Sequence, residues 1–292
     1  MGSQSLCPLI YMAEQSTLSS LQVGVGFRRG LAELLLDAPV ECFDFVELAP
    51  ENYLGFGGQK HRLLERVADR WPVLTHGLAL SLGGNDPFPH DYLEELGQFL
   101  HDLETPHHSD HLCISSANGS HSHELLPLPL TRDTAHHTAR RIREVSSAIQ
   151  KPFAVEHISA YARWPEDELS EPEFIRQVVE ESDCGLLLDL NNLYVNACNF
   201  GLDASEMLEQ MPLEATVQIH MAGHTVRHDG LRIDTHSEDI TDEVYSLLKQ
   251  ALPRTGPVPV LLERDDNFPA LEELLRETHE IRQIGNEVFH AR

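Results

Sequence analysis

Short apolar segments alternate with helical patterns along most of the chain. Eight segments of nearly continuous apolar residues favour strands buried on both faces, as parallel strands are. They are residues 23–27, 43–48, 73–78, 109–115, 153–158, 185–190, 217–222 and 258–263. The fourth segment is the least regular, because it contains the polar run SDH.

Segments with a helical period of apolar residues lie between these strands. They are residues 29–37, 60–70, 90–104, 131–150, 170–182, 203–211, 242–252 and 269–284. Thr131 and Asp203 stand where N-caps are expected, and Pro269 suits a first helical turn. Eight strand–helix units in strict alternation predict an α/β fold, and more specifically a (β/α)8 TIM barrel rather than an open doubly wound sheet.

The chain shows no internal repeat and no Pro/Gly/Ser-rich linker that would divide it. We therefore predict an N-terminal extension at residues 1–21 and a single catalytic domain at residues 22–292. A TIM barrel typically needs about 250 residues, which this domain supplies. Residues 116–130 form a long connection between elements, and we expect this loop to lie over the top of the barrel.

The formal net charge of −26 is the strongest compositional signal. Such a surface repels phosphate-rich partners at long range, so nucleic acid is an unfavourable substrate.

The cellular location is indicated by the absence of other signals. No run of about 18 apolar residues occurs, and the N-terminus lacks the basic region and apolar stretch of a secretion signal. The five cysteines form no C-x-x-C pair and are interpreted as reduced, mostly buried thiols. We expect a cytoplasmic protein with no membrane contact.

Residue types that bind metal ions occur at the ends of nearly all the predicted strands. In a TIM barrel, the carboxyl ends of the strands build the active site. The residues concerned are Glu47, Glu51, Asn52, His76, Asp110, His111, Glu156, His157, Asp189, Asn191, Asn192, His220, His224, Asp234, His236, Glu263 and Asp265.

Taken singly, each of these residues is more often a hydrogen-bonded structural residue than a ligand. As a set they concentrate negative charge, and Arg264 is the one basic side chain within the motifs. Buried carboxylates are costly unless they are paired or bound to a cation, so the set predicts more than one metal ion. Asp234 and His236 are two residues apart and would share one side of an extended segment. Oxygen and nitrogen ligands suit Fe, Mn or Zn, and ligand type alone does not choose among them.

The motifs resemble those of a known family. The segments ENY, THGLALSLGG, SDHL, LLPLP, LLLDLNNLYVNACNFG, IHMAGH, IDTH and LLERD occur in the order seen in the multinuclear non-haem iron-dependent oxidases, the family of MbnB and TglH. The resemblance covers residues 22–285. It implies a xylose-isomerase-like barrel that holds two or three irons and uses O2 to modify a cysteine of a ribosomally made precursor peptide. It also implies a small partner protein that binds the leader peptide.

The resemblance also implies a set of ligands for each of three metal ions. His76, His111 and Glu156 would hold one iron, and Glu156 would bridge to a second iron held by Asp189, His220 and Glu263. Asn192, Asp234 and His236 would hold the third. Our catalytic candidates are Glu156, Asp189, His224 and Asp265. The family commonly has Glu-Asn where this chain has Glu156-His157, and we interpret His157 as a packing or hydrogen-bonding neighbour of the ligand.

Three other functions are weighed against the oxidase. A zinc phosphodiesterase of the endonuclease IV type shares the three-metal layout, but it has a histidine at the position of Asn192, and the charge of −26 disfavours its substrate. A metal-dependent sugar isomerase would need a lysine-assisted sugar site, which is not evident. A non-enzymatic metal-binding module would not need motifs from so many strands. The oxidase is the favoured hypothesis.

Overall fold

A closed barrel of parallel strands forms the centre of the molecule. The computed structural model describes residues 21–290, apart from the side chain of His123. The predicted N-terminal extension lies almost entirely outside the described residues. The strands are β1 Val23–Gly26, β2 Val46–Leu48, β3 Val73–His76, β4 His108–His111, β5 Cys113–Ala117, β6 Ser120–Pro127, β7 Phe153–Glu156, β8 Gly185–Asp189, β9 Thr216–Met221, β10 Thr225–Val226, β11 Arg232–Ile233 and β12 Val260–Leu262.

Eight of these strands close the barrel in the order β1-β2-β3-β4-β7-β8-β9-β12, and β12 pairs with β1. All neighbours are parallel; Val23 is level with Val260 on one side of β1, and Val25 is level with Val46 on the other. The predicted (β/α)8 barrel is therefore confirmed. Because parallel strands share one direction, their carboxyl ends meet at a single face of the barrel.

The helices surround the strands. They are α1 Ala32–Asp37, α2 Gln59–Ala68, α3 His90–Asp102, α4 Arg132–Ile149, α5 Glu171–Ser182, α6 Leu190–Phe200, α7 Ala204–Gln210, α8 Asp242–Thr255 and α9 Leu271–His290. Helix α6 was not predicted, because its polar sequence LNNLYVNACNF shows no clear apolar period. It starts directly after β8. There the Asp189 carboxylate caps the helix by accepting a hydrogen bond from the backbone N–H of Asn192 at 2.7 Å.

The predicted fourth strand, 109–115, is in fact two elements. Strand β4 ends at His111, and β5 begins at Cys113 and forms an antiparallel hairpin with β6. The prediction of a plain loop at 116–130 is therefore wrong for most of that segment. Asn118 and Gly119 both have positive φ, 51° and 74°, as a two-residue hairpin turn of the Asn-Gly type requires.

Apolar side chains fill the layer between the strands and the helices. Leu96, Ile142, Val178, Leu248 and Ile281 come from five different helices and are all fully buried. Within residues 21–290, no helix is long and apolar enough to cross a membrane. Four of the cysteines, at 42, 113, 184 and 198, are free thiols, and Cys7 lies outside the described part of the chain.

Candidate metal centre

The predicted ligands converge at the carboxyl end of the barrel. His76, His111, Glu156 and Asp189 are the last residues of β3, β4, β7 and β8. His220 lies in β9, and Glu263 follows β12. His76, His111, Glu156 and Glu263 line a cavity of about 480 Å³, to whose walls Asn192, Asp234, His236 and Asp265 also contribute. Asp189 and His220 are fully buried next to these residues.

The first group consists of His76, His111 and Glu156. His76 Nε2 lies 3.1 Å from His111 Nε2 and 2.7 Å from Glu156 Oε2, while His111 Nε2 lies 3.4 Å from the same oxygen. Ligands about 2.1 Å from one metal ion are separated by about 3 Å when they subtend a right angle. The spacing of the three atoms therefore suits a shared cation.

The other nitrogen of each imidazole is held by a hydrogen bond. His76 Nδ1 lies 2.8 Å from Ser109 Oγ, and His111 Nδ1 lies 3.1 Å from the carbonyl oxygen of Gly77. A carbonyl only accepts, so His111 carries a proton on Nδ1, and in its neutral form it presents the Nε2 lone pair to the cavity. Hydrogen bonds of this kind orient histidine ligands in metal sites.

Electrostatics in this group favour a positive charge. Burial lowers the pKa of His111, but the charges of Glu156 and Asp110 outweigh this effect and raise the pKa to about 9. Burial also opposes ionisation of Glu156, yet His76 and His111 hold the pKa of its carboxyl at about 2. Without a metal ion, a proton on His111 supplies the charge, so a metal ion must displace it.

The second group is formed by Glu156, Asp189 and His220, with ligand atoms that all lie within 4.8 Å of one another. His220 Nδ1 also lies 3.1 Å from Glu263 Oε2. Burial, followed by the charges of Glu156 and Asp234, raises the pKa of Asp189 to about 7. Two neighbouring carboxylates at this depth repel one another, and a cation between them removes that repulsion.

The third group contains Asp189, His236 and Glu263, again within 4.8 Å. His236 Nε2 lies 2.7 Å from Asp234 Oδ1, without the geometry of a hydrogen bond. The resemblance implied Asn192, Asp234 and His236 for the third metal and placed Asp189 and Glu263 at the second. This group shares only His236 with the set implied for the third metal. His236 has a φ of 48°, a strained conformation of the kind that clusters at functional sites.

Glu156 and Asp189 connect the three groups. Glu156 belongs to the first and second groups, and Asp189 belongs to the second and third. A carboxylate has two oxygens and can bind one ion with each. The groups therefore form a continuous row that shares two carboxylates, each of which would bridge two ions if all three groups held metal.

Asn192 lies beside Glu156, one of the two shared carboxylates. Its Nδ2 donates to Glu156 Oε1 at 3.1 Å and to the His157 carbonyl at 3.0 Å, while its side chain is 3% exposed. Among the described residues, neither Asn192 Oδ1 nor Asp189 Oδ2 has a hydrogen-bond partner. Buried oxygens without partners are costly, and a bound cation would satisfy both. The donor set and these two atoms fit a cluster of oxygen- and nitrogen-ligated metal ions.

Arg28 is the cation that sequence reasoning missed. It follows β1 and forms ion pairs with Glu263 and with Asp265, the latter at 2.5 Å. Arg264, the basic residue singled out in the motifs, instead pairs with Asp239 and Glu277 at 2.7 and 2.8 Å. The strand-end rule that located the other residues would also have found Arg28.

One arginine does not balance the acidic side chains around the cavity. The carboxylates that line it are Glu124, Glu156, Asp234, Glu263 and Asp265, and those of Glu47, Asp110 and Asp189 lie beside the histidines of the centre. The excess of negative charge that was inferred from the sequence therefore persists with Arg28 included, and protons on the histidines or bound metal ions would neutralise it.

The catalytic candidates His224 and Asp265 occupy different places. Asp265 lines the cavity, and its Oδ2 lies 3.0 Å from His236 Nδ1. His224 lies behind the wall: its Nδ1 is 2.9 Å from Asn191 Oδ1, and Asn191 Nδ2 donates to Asp234 at 2.6 Å. His224 thus holds Asn191, which in turn orients Asp234, one of the candidate metal ligands.

Other strand-end residues serve the surrounding structure. His157 turns away from the cavity and places Nδ1 3.0 Å from Glu171 Oε1, in keeping with its interpretation as a hydrogen-bonding neighbour. Asp110 accepts from the Leu80 amide at 3.2 Å, and Glu51 accepts from the Leu78 amide at 3.0 Å. These two carboxylates fix the loop that follows β3.

Solved structures with the same fold include a xylose isomerase-like TIM barrel protein from Mycobacterium smegmatis in complex with magnesium. It superposes with a TM-score of 0.59 and 11% identity over 92% of this chain and 98% of that chain. D-psicose 3-epimerase from Clostridium cellulolyticum H10 superposes with a TM-score of 0.58 and 10% identity over 92% and 99%. At such low identity, these similarities establish the fold alone.

Sequence comparison identifies closer relatives. A UPF0276 protein of Pseudomonas aeruginosa is 42% identical over 261 residues, covering 89% of this chain and 91% of the relative. A UPF0276 protein of Neisseria meningitidis serogroup B is 43% identical over 264 residues, covering 88% and 93%. Residues 22–286 match the sequence pattern of the RiPP precursor modification enzymes MbnB/TglH/ChrH. The motifs, the barrel and the match over nearly the whole chain agree: the protein belongs to the MbnB/TglH/ChrH family.

Proposed function

We propose that this chain is a multinuclear iron-dependent oxidase that uses O2 to modify a cysteine of a ribosomally synthesised precursor peptide. The observation that carries the proposal is the row of three ligand groups joined by Glu156 and Asp189. Membership of a family of RiPP precursor modification enzymes supports the peptide substrate.

Nine residues would hold the irons. They are His76, His111, Glu156, Asp189, Asn192, His220, Asp234, His236 and Glu263. Their oxygen and nitrogen donors suit iron, which when bound would supply redox chemistry with O2 and a coordination position for a thiolate. The chain's own contribution is to hold the carboxylates close together and to keep each imidazole oriented.

Asp265 is the catalytic candidate that lies at the wall of the cavity. Its side chain is 41% exposed at the cavity wall, within reach of an entering peptide. Burial and Glu263 oppose its ionisation, but His236 and Arg28 prevail and lower the pKa of its carboxyl. An ionised Asp265 would therefore be a weak base, and its role would be to keep Arg28 and His236 in place beside the entering substrate.

The cavity mouth is suited to a peptide segment. Leu78 and Tyr161 line the cavity and expose 49% and 47% of their surface, and Leu125 of the hairpin adds a further apolar contact. Peptide sites combine such apolar contacts with a few fixed polar groups. A small partner protein that binds the leader peptide would deliver the cysteine to this mouth.

A zinc phosphodiesterase is less well supported. Phosphodiester substrates need cationic groups, whereas Arg28 is paired with Glu263 and Asp265 and the remaining wall is rich in carboxylates. Asn192 is also a weaker ligand than histidine for a third zinc ion.

The metal content tests the proposal. Elemental analysis of protein purified in air should find two or more irons per chain, with zinc minor. Protein reconstituted with Fe(II) should consume O2 and change the mass of a cysteine-containing precursor peptide supplied with its partner. A single metal per chain, or equal activity with zinc under nitrogen, would contradict the assignment.

A further inference from the structure

A buried polar network lies inside the barrel next to the metal centre. It consists of Glu47 in β2, Gln218 in β9 and His107 just before β4, and we call it the interior network. Their exposed fractions are 1%, 0% and 2%. Gln218 and His220 are two residues apart in one strand, so both point into the barrel.

The interior network ends on His220. Glu47 Oε2 lies 3.1 Å from His220 Nε2, and Gln218 Nε2 donates to the same oxygen at 2.5 Å. Gln218 Oε1 in turn lies 3.0 Å from His107 Nε2. The other nitrogen of His220, Nδ1, faces Glu263 at 3.1 Å.

The direction of each hydrogen bond follows from the chemistry of the groups. Gln218 Nε2 also lies 3.1 Å from His220 Nε2, but its shorter contact, 2.5 Å, is with Glu47 Oε2. An ionised carboxylate only accepts, so we assign both Gln218 Nε2 and His220 Nε2 as donors to Glu47. The Gln218 amide is thereby fixed with its oxygen toward His107, which donates from Nε2. With its proton on Nε2, a neutral His220 has its lone pair on Nδ1, the nitrogen that belongs to the metal side.

We propose that Glu47, held in place by Gln218, is a positioning residue that keeps the proton of His220 on Nε2 and presents Nδ1 to the metal shared with Glu156 and Asp189. This inference rests on the metal centre of the proposed function and names residues outside its ligand set. Carboxylate partners of this kind orient metal-bound histidines, and their loss typically weakens metal binding by about 10–100-fold.

A pair of substitutions at Glu47 distinguishes a role in orienting His220 from a role in filling space inside the barrel. Glu47→Leu removes the acceptor, whereas Glu47→Gln keeps an oxygen that can accept from His220 Nε2. In anaerobic Fe(II) titrations, Glu47→Leu should weaken one binding step by about 10–100-fold. Glu47→Gln should remain within a few-fold of the unmodified protein. Glu51→Leu is the matched control, because the Glu51 carboxylate accepts hydrogen bonds from the Leu78 backbone amide and the Tyr92 hydroxyl and lies outside the interior network.

The nitrogen that binds metal can be observed directly. In protein labelled with ¹⁵N-histidine and loaded with diamagnetic Zn²⁺, His220 should show a metal-bound Nδ1 and a protonated Nε2, and the same pattern should persist in Glu47→Gln. Zinc-loaded Glu47→Leu should lose this pattern. Neither measurement uses peptide or O2, so a failure of oxidase activity would leave the positioning role standing.

Three results would overturn the inference. They are Nε2 ligation in the unmodified protein, unchanged iron binding by Glu47→Leu, and a loss in Glu47→Gln as large as in Glu47→Leu. Circular dichroism of the metal-free variants checks that each is folded. If Glu47→Leu does not fold, Gln218→Met takes its place, since it leaves Glu47 present but unsupported. Gln218→Met should then weaken the same iron-binding step, and unchanged iron binding would refute the positioning role of Glu47.

Discussion

Replacing Glu156 by alanine is expected to remove more than one equivalent of iron per chain. Glu156 belongs to two of the three ligand groups, with Oε2 at 2.7 Å from His76 Nε2 in the first and Asp189 beside it in the second. Loss of a bridging carboxylate leaves two ions each short of a ligand. Elemental analysis of the purified variant, beside unmodified protein from the same preparation, measures the effect.

Asn192→Ala is the comparison for this experiment. Asn192 offers one neutral amide oxygen, so its loss should remove at most one equivalent and leave the ligands of the other ions in place. Glu51→Ala, which removes a carboxylate outside the three groups, should remove none. Loss of only one equivalent from Glu156→Ala would refute the bridging role.

Replacing Asp189 by asparagine is expected to abolish most metal binding and yet stabilise the metal-free protein. Burial and the neighbouring Glu156 raise the pKa of Asp189 from 3.8 to about 7 in the folded state. Above pH 7 the folded protein must carry this charge at a cost that the unfolded chain does not bear. Each unit of pKa difference corresponds to about 1.4 kcal/mol, so the gain should be a few kcal/mol at most.

The effect of Asp189→Asn on the free energy of unfolding should depend on pH. Near pH 4 the carboxyl is largely protonated in the folded state, and the variant should be close to the unmodified protein in its free energy of unfolding. Between pH 4 and pH 7 the unfolded chain releases the proton while the folded state retains it, so the cost grows with pH and then levels off. Denaturant unfolding in the presence of a chelator, at pH 4 and pH 8, measures the free energy of unfolding at both ends of this range. A metal-free variant that is less stable at pH 8 would contradict this account.

The fold was predictable because its signal is repeated. Eight apolar strand segments alternate with helices, and an error in one of them does not change the architecture. The errors fall where polar residues interrupt the pattern. The polar helix α6 was not predicted, and β5 was merged with β4. The Asn118–Gly119 pair carried the hairpin signal, since both residues adopt the positive φ that such a turn requires.

The site was predictable as a set of residues but less so as a geometry. The strand-end rule brings His76, Glu156 and Asp189 to one face, whereas the sharing of Glu156 and Asp189 between groups depends on distances that only the folded chain defines. Arg28 and Gln218 were not named as site residues. Gln218 lies within a strand rather than at its end, so no rule based on strand ends would have found it.

The central claim is that iron and O2 modify a cysteine at this site. The most direct measurement compares two peptides that differ only in that residue, a candidate precursor and its Cys→Ser variant, each mixed with Fe(II)-loaded protein, the partner protein and O2. Peptide mass and oxygen uptake are followed together. The cysteine peptide should be modified with consumption of O2, while the serine peptide should bind and remain unchanged. Equal turnover of the serine peptide, or full activity with zinc and no O2, would contradict the account.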